Sequence, residues 1–335
     1  MYGVHPALYW HPLGDGKVAC ELCPQDCRIA PGRVGACRVR KNHDGTLYST
    51  NYAQASAVAL DPIEKKPLYH FYPGRVILSL GTVGCNLRCS FCQNWQIAQE
   101  NAPTRELLPE RAVALAEEQG ESCIGLAYTY SEPLVWYEYV LDTARLAREK
   151  DLKNVLVTNG FVQPKPFTEL LDVVDALNID VKGFTDKYYR GICHGSLEPV
   201  LKSVELAVQA GCHVELTTLL VPGLNDTPEE IEALVNWIAA LSPAIPLHLT
   251  RYFPQYKMSL PPTSWASLEL AWKIAREKLR YVYIGNAETE RGQNTYCPQC
   301  GALLVERRGY RIKQPGVEQG RCSHCGYQVH DEIME

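Results

Sequence analysis

The cysteines of this chain fall into groups, and this grouping constrains the fold more than any other feature of the sequence. Fourteen cysteines occur among 335 residues. A secreted scaffold built on disulfides is normally much shorter, whereas grouped cysteines are typical of metal ligands in a reducing compartment. Eleven of them form an N-terminal, a central and a C-terminal group: Cys20, Cys23, Cys27 and Cys37; Cys85, Cys89 and Cys92; Cys297, Cys300, Cys322 and Cys325.

The central group has the spacing C-x3-C-x2-C and directly follows an apolar run at residues 76–80. Four thiolates complete the coordination of an iron–sulfur cluster. Three thiolates on one short loop would hold three irons and leave the fourth open, as a catalytic zinc keeps one position for its substrate. A zinc knuckle or three unrelated cysteines is the alternative. The position after a strand favours a catalytic cluster, because barrel enzymes place their chemistry there.

Residues 75–290 alternate short apolar runs with amphipathic stretches, which indicates repeated strand–helix units. Such units build a parallel sheet with right-handed crossovers. The predicted fold class is α/β, a partial (β/α) barrel, although a doubly wound open sheet would give a similar pattern. Seven strands are expected, at residues 76–80, 123–129, 154–158, 176–181, 214–221, 246–250 and 281–284.

Three helix starts can be read directly from the sequence. Thr227-Pro-Glu-Glu230 is a capping box with proline at the first helical position. Ser131 is the expected cap of a helix at 134–147, and Pro109 opens a helix at 112–118. The predicted domains are an N-terminal Cys-rich module at 1–74, the barrel at 75–290 and a zinc ribbon at 291–335.

Composition argues against several classes of function. The net charge is −5 and no basic run is present, so nucleic-acid binding is not expected. No stretch approaches eighteen consecutive apolar residues, and the first residues do not resemble a signal peptide. The protein is expected to be soluble and cytoplasmic, without a membrane partner.

The C-terminal group consists of two C-x2-C-G knuckles, Cys297-Pro-Gln-Cys300-Gly and Cys322-Ser-His-Cys325-Gly. Together they predict a closed tetrahedral zinc site, without which so small a module would not fold. The N-terminal group would close a second zinc site or hold an auxiliary [4Fe–4S] cluster. Zinc is favoured there, because a C-x2-C pair followed by proline resembles a knuckle.

Three cysteines stand outside the groups. Cys123 and Cys212 begin predicted strands and are most simply buried apolar residues. Cys193 follows the fourth strand and is a catalytic candidate if it reaches the barrel mouth, but an ordinary thiol is the favoured interpretation.

The C-x3-C-x2-C loop resembles that of the radical S-adenosylmethionine (SAM) enzymes, in the pyruvate formate-lyase activating enzyme-like branch. The resemblance implies a [4Fe–4S] cluster on Cys85, Cys89 and Cys92 whose open iron chelates SAM. One electron then cleaves SAM to a 5′-deoxyadenosyl radical that abstracts hydrogen from a substrate, which the sequence does not identify. It also implies a ferredoxin- or flavodoxin-type reductant protein.

The same resemblance implies a set of SAM contacts at the strand ends. Carried over by motif, these are Phe91, Glu132, Asn159, Asp180 and Lys182. A surface ion pair at 180–182 and a turn at 158–160 are the alternatives. The sequence departs from the branch where Tyr130-Ser131 replaces two glycines. It departs again on the sixth strand, where the usual histidine is missing and His248 or Arg251 is the candidate replacement.

The match over nearly the whole chain is to the radical SAM component of the AmmeMemoRadiSam system. The motifs that carry it include Asp61-Pro-Ile-Glu-Lys-Lys-Pro67-Leu-Tyr-His70 and Cys92-Gln-Asn-Trp95. It implies Memo-type and AMMECR-type proteins as partners. Three alternatives stay open: an activator of a glycyl radical enzyme, an RNA-modifying radical enzyme, and a non-catalytic iron–sulfur and zinc electron-transfer protein. The N-terminal cysteines argue mildly against the activator.

Overall fold

The computed structural model of the chain describes residues 5–289, 291–329 and 332–334. Its centre is an eight-stranded sheet whose strands are mostly buried, as expected where helices cover a parallel sheet. The strands are β1 (Ala57–Pro62), β2 (Val76–Gly81), β3 (Cys123–Tyr128), β4 (Lys153–Thr158), β5 (Ala176–Asp180), β6 (His213–Leu220), β7 (Leu247–Arg251) and β8 (Val282–Gly285).

The order of strands in the sheet follows their order in the chain, from β1 to β8. Strands β2 to β8 are parallel, and β1 is an antiparallel edge strand beside β2. Six helices connect the parallel strands: α1 (Pro109–Glu117), α2 (Tyr137–Arg148), α3 (Pro164–Leu171), α4 (Glu198–Gln209), α5 (Pro228–Leu241) and α6 (Trp265–Arg276). Right-handed crossovers in an unreversed strand order place all six helices on one face of the sheet. The sheet is therefore a partial barrel, whereas a doubly wound sheet would reverse its strand order.

The remaining helical elements are short. They are Trp95–Gln99 and Asp186–Tyr188, the 3₁₀ turns Ile63–Lys65, Gly120–Ser122 and Pro133–Trp136, and the π-helix Tyr189–Cys193. In the part of the chain that the structure describes, no helix is both long and apolar enough to cross a membrane.

The predicted strands are confirmed to within one residue at each end. The Thr227 cap is also confirmed, since its hydroxyl accepts the backbone N–H of Glu230 at 3.3 Å. The prediction that Ser131 caps a helix is wrong. The carboxylate of Glu132 instead caps the 3₁₀ turn Pro133–Trp136 by accepting the Leu134 N–H at 3.0 Å, and α2 begins only after that turn.

Short antiparallel strands make up much of the N-terminal part. They are His5–Pro6, Trp10–Pro12, Val18–Cys20, Arg28–Ile29, Arg40–His43, Thr46–Ser49 and Gln54–Ala55, the last paired with Arg105–Glu106. The division at residue 74 remains a prediction, but β1 comes from the first segment and joins the barrel sheet. Residues Ile63, Leu68 and Phe71 pack against buried residues of β2 to β5, so this segment fills the inside of the barrel.

The C-terminal module is built from five short strands: Thr295–Tyr296, Leu303–Arg308, Arg311–Lys313, Val317–Glu318 and Arg321–Cys322. The Arg307 guanidinium fixes the module by donating to the carbonyl oxygens of Tyr69 at 2.6 Å and Gln293 at 3.1 Å, and to the Thr295 hydroxyl at 2.7 Å. This interface is buried, because Arg307 itself is only 4% exposed.

A second contact shows which end of the barrel the module covers. The Glu332 carboxylate accepts hydrogen bonds from Arg280 and Tyr281, which immediately precede β8, and from the Tyr327 hydroxyl at 3.0 Å. The module therefore lies at the amino-terminal ends of the strands, opposite the edge where β2 leads into the residue 85–92 loop.

Replacing Arg307 should weaken the interface between the C-terminal module and the rest of the chain. Arg307→Met should lower the melting temperature by roughly 3 °C, because the buried acceptors left without a donor cost about 2 kcal/mol. Arg308→Met is the matched control, since that side chain is 84% exposed and should shift melting by less than about 1 °C. Equal effects in a thermal scan of the two variants would contradict the interface.

Candidate active site and metal centres

A cavity of about 500 Å³ opens at the carboxyl ends of the barrel strands. The three central cysteines line it from the loop that follows β2, which we call the cluster loop (residues 85–92). The other lining residues come from different strands, and they include all five of the expected SAM contacts: Phe91, Glu132, Asn159, Asp180 and Lys182. The fold therefore brings the expected site residues to one place, although their individual roles remain predictions.

Backbone hydrogen bonds hold the cluster loop in position. The π-helix Tyr189–Cys193 accepts the N–H groups of Arg88 at 2.9 Å and Ser90 at 3.0 Å. The Asn159 amide lies 3.6 Å from the Cys85 sulfur and donates to the Asn86 side chain at 2.9 Å. Asn159 is thus bonded to the loop itself, so it positions a cysteine whether or not it contacts a ligand.

Glu132 is a buried carboxylate held by three donors. Its oxygens accept hydrogen bonds from the Thr158 hydroxyl at 2.6 Å, the Asn159 N–H at 2.8 Å and the Leu134 N–H. Burial raises the pKa of Glu132 to about 7, although these hydrogen bonds favour the ionised form. Near neutral pH the group can therefore change its charge beside the cavity.

Asp180 and Lys182 form an ion pair at the end of β5, with the ammonium 2.8 Å from a carboxylate oxygen. The Lys182 backbone is anchored on both sides, by the Tyr189 hydroxyl at 3.0 Å and the Asn225 amide at 2.7 Å. Burial alone would lower the pKa of Lys182, but Asp180 and the Cys89 sulfur hold it well above its usual range. The cavity thus contains a fixed positive charge.

A second cation at the cavity was not predicted as a site residue. Lys66 is 1% exposed, its ammonium lies 2.8 Å from an Asp61 carboxylate oxygen, and it stands 4.6 Å from the centre of the Tyr130 ring. The Tyr130 hydroxyl also donates to Asp61. Tyr130 has φ +70°, a left-handed conformation that favours glycine. The sequence signal for Lys66 was the charged run Asp61-Pro-Ile-Glu-Lys-Lys66, which precedes β2.

Three candidate residues lie outside the cavity lining. The His248 ring lies 2.6 Å from a Glu215 oxygen and is buried, and Arg251 donates to the Thr263 carbonyl at 2.9 Å. Neither replaces the missing histidine in the cavity, where Thr250 and Asn286 line that side. Cys193 is fully buried behind the cluster loop, so it does not reach the barrel mouth as the catalytic hypothesis requires.

The four C-terminal cysteines form a compact set, which we call the ribbon set. Within the ranges that the structure describes, only this set brings three or more ligand atoms within 4.8 Å of one another. Its sulfur–sulfur distances include 3.7 Å for Cys297–Cys325 and 3.8 Å for Cys300–Cys322. Tetrahedral zinc with Zn–S bonds near 2.3 Å places its sulfurs about 3.8 Å apart. The ribbon set can therefore hold one zinc ion.

The N-terminal cysteine set (Cys20, Cys23, Cys27 and Cys37) is gathered in space but is not compact. The Cys20 N–H donates to the Cys27 carbonyl at 2.9 Å. Burial first, and then the neighbouring thiols of Cys37, Cys20 and Cys27, raise the pKa of Cys23. No three of their sulfurs come within 4.8 Å of one another. In this respect the set differs from the ribbon set, and which metal it holds remains a prediction.

Comparison with known proteins gives relatives for nearly the whole chain. The model of the family described as "Radical SAM superfamily" matches residues 79–238. The chain is 44% identical to "Uncharacterized protein MJ0808" of Methanocaldococcus jannaschii, over 96% of this chain and 98% of that protein. It is 29% identical to the "Pyruvate formate-lyase-activating enzyme" of Clostridium pasteurianum, over 46% of this chain and 66% of that enzyme.

A solved structure shares the fold. A radical SAM methyltransferase from Sphaerobacter thermophilus superposes with a TM-score of 0.51 and 16% identity, over 90% of this chain and 81% of that chain. At this level of identity the likeness concerns the fold and does not extend to the reaction.

Loss of zinc at one end of the barrel should not affect the iron at the other end. Cys322→Ser should remove about one zinc per chain and leave iron unchanged, because the ribbon set lies opposite the cluster loop. Elemental analysis of purified protein measures both metals. Cys212→Ser, a cysteine outside every group, should change neither, and loss of iron from Cys322→Ser alone would contradict the separation.

Proposed function

Because the chain belongs to the radical SAM superfamily, we propose that it is an enzyme that cleaves SAM reductively to modify a substrate at an unactivated C–H bond. The observation that carries this proposal is the convergence of three cysteines, a buried carboxylate and a fixed cation on one cavity. When bound, the cluster and SAM supply the chemistry, in which one electron breaks the sulfonium bond and yields methionine and a 5′-deoxyadenosyl radical that abstracts hydrogen from the substrate.

The residues present fit a [4Fe–4S] cluster that leaves one iron open. Cys85, Cys89 and Cys92 are the cysteines that line the cavity. Their three sulfurs do not all lie within 4.8 Å of one another, whereas the four sulfurs of the ribbon set do. A cluster with one thiolate on each of three irons needs such wider spacing. These three residues would therefore hold the cluster.

The charged residues of the cavity suit the polar end of SAM. The Lys182 ammonium can donate a charge-assisted hydrogen bond to the SAM carboxylate, while Asp180 keeps the lysine charged and oriented. Glu132 has one acceptor position remaining on the oxygen that binds the Asn159 N–H, which suits an amino group. Phe91, which is 4% exposed, offers an apolar surface for the adenine.

Glycyl radical activation is the second candidate, and the names of the relatives support it. The chain spans about two thirds of the pyruvate formate-lyase-activating enzyme that it matches. Memo-type and AMMECR-type proteins are the partners we propose for the whole chain, together with a ferredoxin- or flavodoxin-type reductant. Lys66 lines the cavity and lies outside the residues that match the family model, so it is the cavity group we assign to a substrate that differs from that of the activating enzymes.

SAM cleavage is the direct test of this function. Anaerobically reconstituted protein with a low-potential reductant should form 5′-deoxyadenosine and methionine, measured by chromatography and mass spectrometry. Cys89→Ala should abolish both products, because a site with two thiolates cannot hold the cluster with one open iron. Cys212→Ala is the matched control and should retain cleavage. Absence of 5′-deoxyadenosine from protein with a full iron content would favour a non-catalytic electron-transfer role.

Removing the fixed cation should weaken SAM binding without loss of the cluster. Lys182→Ala should lower affinity roughly tenfold to a hundredfold, the equivalent of a lost charge-assisted hydrogen bond of about 1.5–3 kcal/mol. The iron–sulfur absorption should persist, and excess SAM should restore much of the cleavage. Lys187→Ala, on the exposed side of the same segment, should leave affinity unchanged. Unchanged affinity in Lys182→Ala would mean that another residue binds the carboxylate.

A further inference from the structure

We propose that the N-terminal cysteine set holds a second [4Fe–4S] cluster, placed to pass electrons to the cluster on the cluster loop. Sequence spacing left zinc and an iron–sulfur cluster open for these residues. Three features of the structure favour the cluster: the spacing of the sulfurs, the groups that surround them, and the contact between this set and the cluster loop.

The spacing of the sulfurs distinguishes the two metals. One zinc ion draws its four thiolates to about 3.8 Å from one another, as the ribbon set shows. In a [4Fe–4S] cluster each thiolate binds a different iron at a different corner, so the sulfurs stand farther apart. Among the described residues, neither the N-terminal cysteine set nor the set on the cluster loop has three sulfurs within 4.8 Å of one another. In lacking a close group of sulfurs, the N-terminal cysteine set thus resembles the set on the cluster loop and differs from the ribbon set.

The surroundings of the set suit a buried anionic group. The Ala36 N–H lies 3.3 Å from the Cys27 sulfur, and hydrogen bonds of this kind stabilise cluster thiolates. Arg40 is 1% exposed, and its guanidinium reaches to 3.9 Å from the Cys20 sulfur. The Arg40 Nε is buried without a protein partner among the described residues. Gly35 lies beside Cys27, since a β-carbon there would meet the Ile29 side chain at 3.2 Å and the Cys27 sulfur at 3.5 Å.

The same set packs directly on the cluster loop. The Gln25 amide, between Cys23 and Cys27, donates to the Asn86 carbonyl at 2.7 Å and to the His194 carbonyl at 2.9 Å. Gly84, next to Cys85, has φ +93°, and a β-carbon there would lie 2.8 Å from the Cys37 carbonyl oxygen. Cys37 of the N-terminal cysteine set and Cys85 of the cluster loop therefore lie on either side of this contact with Gly84.

This arrangement defines an electron path with a balanced transfer. A ferredoxin- or flavodoxin-type protein gives one electron to the N-terminal cluster, which passes from its 2+ to its 1+ level. The electron then moves to the cluster on the cluster loop, which becomes 1+ while the N-terminal cluster returns to 2+. No bond or proton is exchanged in this step. This electron transfer rests on the proposed function, whereas the presence of the second cluster does not.

Metal content tests the presence of the cluster. The full chain, purified anaerobically with its iron–sulfur clusters assembled, should contain about eight irons and one zinc. About four irons and two zincs would overturn the proposal. Cys23→Ser should lose about four irons and keep its zinc, whereas Cys212→Ser should match the parent protein.

A second variant tests for the cluster without any change in the N-terminal part, so that misfolding of that part cannot explain the result. Replacing all three cluster-loop cysteines, as C85S/C89S/C92S, leaves the N-terminal cysteine set untouched. This variant should retain about four irons with the Mössbauer signature of a [4Fe–4S] cluster. A variant with no iron and a second zinc would overturn the proposal.

Electron paramagnetic resonance tests the proximity of the two clusters. In the fully reduced parent protein, magnetic interaction should broaden or split the signals, because both clusters carry unpaired spin at short range. Cys23→Ser and the triple variant should each give a simple, unbroadened signal. A parent spectrum equal to the sum of the two variant spectra would overturn the electron path and leave a second cluster without contact to the first.

Discussion

The parallel alignment of strands β2 to β8 is the constraint on which the rest of the structure depends. Parallel strands end at one common edge, so residues from distant parts of the chain meet there without any contact in sequence. Cys85 follows β2, Glu132 follows β3 and Lys182 follows β5, yet all three line one cavity. The C-terminal module covers the opposite edge of the sheet, through contacts with residues just before β8. Strand polarity thus separates the reactive site from the ribbon set.

Inside the cavity, buried charges are paired before any ligand arrives. Taking a charge out of water is costly unless a partner or several hydrogen bonds compensate it. Lys182 has Asp180, Lys66 has Asp61, and Glu132 has three donors. Each pairing fixes a side chain in one orientation, which lowers the entropy that ligand binding would otherwise cost. The cavity is therefore preorganised for a polar ligand by the same interactions that make its burial tolerable.

Much of the fold and part of the site could be predicted from local pattern. Apolar runs of strand length placed all seven parallel strands, since burial on both faces leaves a signal in each segment separately. The Ser131 cap was wrong because Pro133 starts a 3₁₀ turn that Glu132 caps. Lys66 was missed as a site residue, and His248 was considered as one, for the same reason. Whether a strand or loop residue faces a cavity or a buried partner such as Glu215 depends on packing that the sequence does not display.

The sequence by itself determined which thiolates share a loop, because ligand spacing along the chain is a local property. It therefore specified an open three-cysteine site, two C-terminal knuckles and the strand–helix order between them. Only the tertiary structure decided how far apart the sulfurs of different segments stand. The knuckles close to within 4.8 Å, whereas the N-terminal cysteine set does not. Distances between segments are set by how barrel, N-terminal part and ribbon pack together, and the choice between one metal ion and a cluster depends on those distances.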